Sequence, residues 1–241
     1  MVEIPMEMQN QVMGYDRTAT MFSPDGHLLQ VEYAEKTVKL GSSSIGFKCK
    51  DGVVIIADRR IKDKLIVEES SSKIYEIDEH IIASAAGILS DARVLIDRAQ
   101  LIAQQHRVTY DSPIDTESII KDISNQKQLS TQYGGIRPFG VAIMIAGITK
   151  NEGKLYVSDI TGNYFEYKAT AIGENEERIK EILREKYNDN FSIEDAIKLG
   201  LKIFKKILGK NFNLSRFECV FINTKDKKLK RVDERGLRKY L

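Results

Sequence analysis

The chain has 241 residues, with 37 basic side chains against 35 acidic ones and a hydrophobic content of 42%. That balance excludes wholesale disorder, gives no strong field for nucleic acid or an anionic membrane, and suits one domain with a sizeable core. Two cysteines in apolar runs and three histidines without ligand spacing (His27, His80, His106) exclude a disulfide scaffold and a zinc motif, so neither metal nor cofactor is expected.

The residues before Tyr15 are polar, contain methionines and lack periodicity, which predicts a flexible arm over 1–14 ahead of a single domain over 15–241. Ser23-Pro24-Asp25-Gly26 is a turn signal: proline presets φ at the second position and glycine suits the fourth. Leu28, Val31, Ala34 or Glu35, and Val38 then recur at helical spacing, predicting an amphipathic helix over 28–40 with Gly41 as its C-terminal cap. SIGFKC alternates as a half-buried strand, Lys50-Asp51-Gly52 is a hairpin turn, and the continuously apolar VVIIA suits a strand covered on both faces. KIYEID and HIIASAA form a second predicted hairpin around Glu79. Ser90 is placed to cap the next helix, with Asp91 favourable in its first turn, and another helix runs from about Asp115 to Leu129 with Ile119, Ile120 and Ile123 on one face. YGGIRPFG is a loop; VAIMIAG, LYVSD and YFEYK are strands. Two more helices follow, the second opened by a capping box of Ser192 and Asp195, and FECVFIN is a last core strand. The basic run Lys225–Arg231 reads as a solvated turn between strands. Grouped strands covered by helix pairs predict an α+β fold with two stacked sheets and helices outside.

No apolar run reaches the roughly 20 residues of a membrane helix. The opening MVEIPMEMQNQVMG lacks the basic and long apolar stretches of a signal peptide, so the expected location is cytoplasmic. Nucleotide-phosphate, zinc-protease and serine-hydrolase motifs are missing as well. One constellation remains. Ser42 opens the first strand behind Gly41, Asp58 ends the second, and Lys73 opens a later one. This resembles the N-terminal-nucleophile hydrolases, where a Thr, Ser or Cys at the start of the first strand attacks while its own free amine acts as base. Here Ser42 is internal, so its nitrogen is an amide and cannot serve as that base.

The stretch Tyr15-Asp16-Arg17, Phe22-Ser23-Pro24, Gly26 and Gln30-Val31-Glu32-Tyr33-Ala34, with DARVLIDRA, TQYGGIRPFGV, IAGI and EYKATAIG, resembles a proteasome α-type subunit over nearly the whole chain. The resemblance implies a four-layer αββα sandwich of the N-terminal-nucleophile class with an N-terminal extension helix. It also implies a homoheptameric, non-catalytic ring, of archaeal type, that caps β subunits, orders their assembly and gates the passage of unfolded polypeptides. Tyr15, Asp16, Pro24 and Tyr33 match the cluster that holds the gate open between neighbours. Lys73 matches the lysine that receives the C-terminal carboxylate of an activator such as a proteasomal ATPase; Gly41, Leu28 and Glu32 match positions around that contact. Tyr133, Gly134 and Gly135 match the loop that narrows the pore. The chain departs from the pattern at Glu35, where arginine is usual, at Leu40, where a basic residue often stands, and at Glu174, where catalytic relatives place serine. Two other readings stay open at this point: a self-processing hydrolase cleaving Gly41–Ser42, and a stand-alone peptide-binding domain.

Overall fold

The computed structural model describes residues 12–60 and 65–241. Most of the expected arm, 1–11, lies outside them; Val12 and Met13 are helical and exposed. The elements follow the expected order. Helix α1 (Leu29–Leu40) precedes strands β1 (Ser44–Cys49), β2 (Gly52–Asp58), β3 (Ile74–Asp78) and β4 (Ile81–Gly87). Helices α2 (Leu89–Tyr110) and α3 (Thr116–Ser130) lead to β5 (Val141–Thr149), β6 (Glu152–Ser158), β7 (Tyr164–Glu166) and β8 (Ala169–Ile172). Helices α4 (Glu176–Lys186) and α5 (Ile193–Leu208) lead to β9 (Phe217–Asn223), β10 (Leu229–Val232) and the short α6 (Glu234–Leu237).

The strands form two five-stranded antiparallel sheets, ordered β10-β9-β2-β1-β8 and β3-β4-β5-β6-β7. Strand periodicity explains the layers. Val53, Ile55 and Ala57 of β2 point between the sheets, while Val54 and Ile56 point to the α4–α5 side. Likewise Ala142, Met144 and Ala146 of β5 face the other sheet, and Val141, Ile143 and Ile145 face α2 and α3. Alternate residues of one strand therefore enter different cores, which is why these strands read as unbroken apolar runs. The result is the four-layer αββα sandwich, with α1 set against the rim of the intersheet core through Val31 and Val38. Among the described residues no helix is long and apolar enough to cross a membrane.

Several local expectations are corrected. The cap of α2 is Ile88, with no side-chain bond, so Ser90 lies inside the first turn. The basic run splits: Lys225–Lys228 belong to the turn, and Leu229–Arg231 begin the edge strand β10. The Ser192–Asp195 capping box is present, with both reciprocal bonds made. Gly41 is the C-terminal cap of α1, as expected, with φ −68° and ψ 147°, which is extended backbone. Glycine is needed there for space: a β-carbon would collide with the amide nitrogen of Gly87.

Lys127 in α3 is fully buried. Its Nζ donates to the Ser158 carbonyl at 3.1 Å and to Ser158 Oγ at 3.3 Å, and Ser124 Oγ donates to the same hydroxyl at 3.0 Å. Burial lowers its pKa to about 7, opposed by the charge of Asp159. Between that value and the ordinary lysine pKa the unfolded chain binds more protons than the folded one, so this residue makes stability rise with pH. Urea unfolding at pH 7 and pH 8.5 tests this: the gain in stability across that interval is expected to be smaller in Lys127→Met than in the parent by roughly 1–2 kcal/mol.

Candidate functional site

The helix-to-strand junction brings Ser42 and Lys73 together. Lys73 precedes β3 and is 4% exposed. Its Nζ donates to the Ser42 carbonyl at 2.6 Å and lies 2.8 Å from Ser42 Oγ. Asp58, at the end of β2, stays close enough to act on the lysine electrostatically, but its oxygens are taken by Arg216 at 3.1 and 2.6 Å and by the Arg60 amide at 3.0 Å. Glu218 of β9 is likewise occupied: it accepts from Ser72 Oγ at 2.7 Å, from the Lys73 and Ile74 amides at 2.9 and 3.3 Å, and from Arg231. Burial lowers the Lys73 pKa to about 8; Asp58 raises it, Arg60 lowers it and Glu218 raises it.

Ser42 is joined through a peptide bond to Gly41, whose carbonyl accepts from the Glu174 amide at 2.7 Å. Glu174 also accepts from Ser43 Oγ through its own carbonyl and pairs with Arg60 through its carboxylate. The loop is threaded through glycine: Gly173 has φ +92°, and a β-carbon there would sit 2.6 Å from the Ser42 carbonyl and 2.9 Å from that of Gly41. The serine, lysine and aspartate of a hydrolytic site are thus gathered around a serine whose amine is consumed by the chain.

The other expected residues lie elsewhere. The Ser23–Gly26 turn forms, with the Gly26 amide donating to the Ser23 carbonyl at 2.9 Å, and Pro24 is exposed on it. Gln30 Nε2 donates to the Asp16 carbonyl at 2.5 Å, tying the separate turn at Gly14–Arg17 to α1. Tyr15 and Asp16 are half-buried, and their hydroxyl and carboxylate make no hydrogen bond among the described residues. Tyr33 is half-buried, with Lys36 Nζ 5.3 Å from its ring centroid. Leu28 is the N-cap of α1 and packs on the intersheet core; Glu32 contacts His27 Nδ1 at 2.5 Å. Glu35 and Leu40 are exposed.

Tyr133 is 61% exposed, Gly135 has φ +86°, and both Gly134 and Gly135 have open space where a β-carbon would stand. The footing of this loop is a clamp that the sequence pattern does not announce. The buried carboxylate of Asp91 accepts two bonds from Arg137 at 2.6 Å each and one from the Gly140 amide at 2.9 Å. The hydrogen bonds from Arg137 hold the Asp91 carboxyl below the usual carboxylate range against the opposing effect of burial. Arg137 and Asp91 stand 46 positions apart, so no local pattern links them.

Residues 38–222 match the family described as "Proteasome subunit", and residues 15–36 match the N-terminal signature of its A-type members. The chain belongs to the proteasome subunit family. Its likeness is to the α type. The proteasome alpha subunit of Archaeoglobus fulgidus is 46% identical over 95% of this chain and 93% of the relative. That of Pyrococcus horikoshii is 46% identical over 95% of this chain and 87% of the relative, and that of Methanosarcina acetivorans 43% identical over 95% and 93%. The N-terminal signature covers Tyr15, Pro24 and Tyr33, and the longer match covers Ser42, Lys73 and the Tyr133 loop.

Asp91→Ala is expected to destabilise the chain by on the order of 1–3 kcal/mol, because it leaves the Gly140 amide without its acceptor. Urea unfolding checks the magnitude, and faster hydrogen exchange at Gly140 checks the site.

Proposed function

We propose that this chain is a non-catalytic α subunit of a 20S core, forming a homoheptameric outer ring on a ring of threonine-type β subunits in the cytoplasm. The ring orders β assembly, gates unfolded polypeptides into the chamber, and docks an activator, so that the complex supports ATP-dependent protein degradation. The observation that carries the reading is that the segment ahead of Ser42 is built into the core, with Leu29, Val31 and Val38 of α1 buried, so that cutting it away to free a Ser42 α-amine would cost the fold those contacts.

Residues 1–14 are the gate, and Tyr15, Asp16, Pro24 and Tyr33 form the cluster that holds it open against a neighbouring copy. The support for an intersubunit role is that the Tyr15 hydroxyl and the Asp16 carboxylate find no partner within the described chain. Tyr133, Gly134 and Gly135 narrow the pore. Lys73, with Gly41 at the same junction and Leu28 and Glu32 on the helix that leads into it, receives the activator's C-terminal carboxylate. A buried ammonium whose hydrogen bonds run only to neutral oxygens of Ser42 has no hydrogen-bonded counter-ion among the described residues, and a carboxylate supplies one.

Deleting residues 1–14 is expected to raise peptide hydrolysis by the assembled α–β particle severalfold; an unchanged rate in a particle confirmed to be closed would count against the gate. Lys73→Ala is expected to abolish stimulation by a docking ATPase while native mass spectrometry still finds the ring. Stimulation at the parent level would remove Lys73 from the docking site.

A further inference from the structure

The chemistry around Lys73 has a property that recognition of a carboxylate by a lysine does not by itself entail. Both hydrogen-bond partners of its Nζ belong to Ser42, one a carbonyl at 2.6 Å and the other a hydroxyl at 2.8 Å. A hydroxyl both donates and accepts. Facing an ammonium, Ser42 Oγ accepts; facing a neutral amine, it rotates its proton and donates into the nitrogen lone pair, while the amine still donates to the carbonyl. The site therefore satisfies the hydrogen bonding of lysine in either protonation state.

The surrounding charges do not settle the choice in favour of the ammonium. From β2, Asp58 is bound to Arg216 and the Arg60 amide; from β9, Glu218 is bound to Arg231, Ser72 and two backbone amides. Arg60 adds a like charge, itself paired with Glu174 after β8. Tyr75 of β3 is kept protonated by burial and by Glu218. No carboxylate is in hydrogen-bond contact with Lys73 Nζ among the described residues.

We infer that docking of a C-terminal carboxylate at Lys73 becomes proton-coupled at mildly alkaline pH: there the incoming anion and a proton bind together, and the ion pair is made on docking. This rests on the docking reading above and adds a regulation to it. Gly41 and Ser42 beside the amine are half-exposed, while Lys73 itself is 4% exposed. In that dry setting a carboxylate strongly favours the charged lysine, so by linkage its affinity falls as the free site loses its proton. The lowered proton affinity of Lys73, about 8, puts this loss at mildly alkaline pH.

The test uses the assembled α–β particle and an N-acetylated peptide of the last seven residues of the docking ATPase, as free acid and as C-terminal amide. Calorimetry in two buffers of different ionisation enthalpy counts protons directly. The free acid is expected to take up about 0.1 proton per site at pH 7 and about 0.8 at pH 8.5, with affinity about tenfold weaker at pH 9 than at pH 7. The amide is expected to bind weakly, with no uptake at either pH. Uptake near zero at pH 8.5, with binding still lost in Lys73→Ala, would overturn the coupling and leave the docking site standing. Parent-level binding by Lys73→Ala would overturn the docking site itself, and the coupling with it.

Discussion

Gly41 passes so close to the backbone of Gly87 that no side chain fits between them. This one contact fixes how the chain leaves α1 and enters β1, and much of the site follows from it. It sets the Gly41 carbonyl against the Glu174 amide and places Ser42 on Lys73. The Gly173 turn must then approach the Ser42 and Gly41 carbonyls from the other side as bare backbone. Three glycines on three segments, Gly41, Gly87 and Gly173, meet where the layers join, and the polar cluster hangs from their packing.

Much of the fold is legible in the sequence because its signals are local. The β2 apolar run, the hairpin around Glu79 and the Ser192 capping box each follow from a few neighbouring residues, and each is found in place. The strands β8 and β10, with four residues each at sheet edges, carry too little periodicity to be read alone. Gly41 reads as a C-terminal cap because glycine often follows a helix, and it is one; the reason that only glycine fits lies 46 positions away at Gly87, out of reach of any local rule. Lys127 sits in a polar run and reads as solvated, although it follows Ile120 by seven residues and Ile123 by four, which puts it on the buried stripe of α3. The grouping of Ser42, Asp58 and Lys73 is visible in sequence order, but the occupation of Asp58 by Arg216 is not, since that partner comes 158 residues later.

The loop carrying Tyr133 is held from both ends. Upstream, α3 is fastened to the end of β6 by Lys127, and the following turn packs so tightly on the helix that Gly162 leaves no room for a β-carbon beside the Ser124 carbonyl. Downstream, Arg137 and Gly140 are fastened to the start of α2 by Asp91. The exposed Tyr133-Gly134-Gly135 tip is therefore a short free span between two anchored points. Its glycines give local freedom without loosening the helices on either side.

Helix α1 runs into β1 through Gly41 but packs on β4 and β5, and it is part of the core: Leu29, Val31 and Val38 are buried. Burying such side chains contributes about 1.5–3 kcal/mol each, a sum comparable with much of the stability of an ordinary domain. A propeptide that unmasks a nucleophile has to be dispensable once it is cut. This extension is not, because its departure would open the rim of the intersheet core to water. In the terms used for zymogens, the segment ahead of Ser42 is a load on the fold rather than a cover over the site, and cutting it away would cost the fold part of its stability.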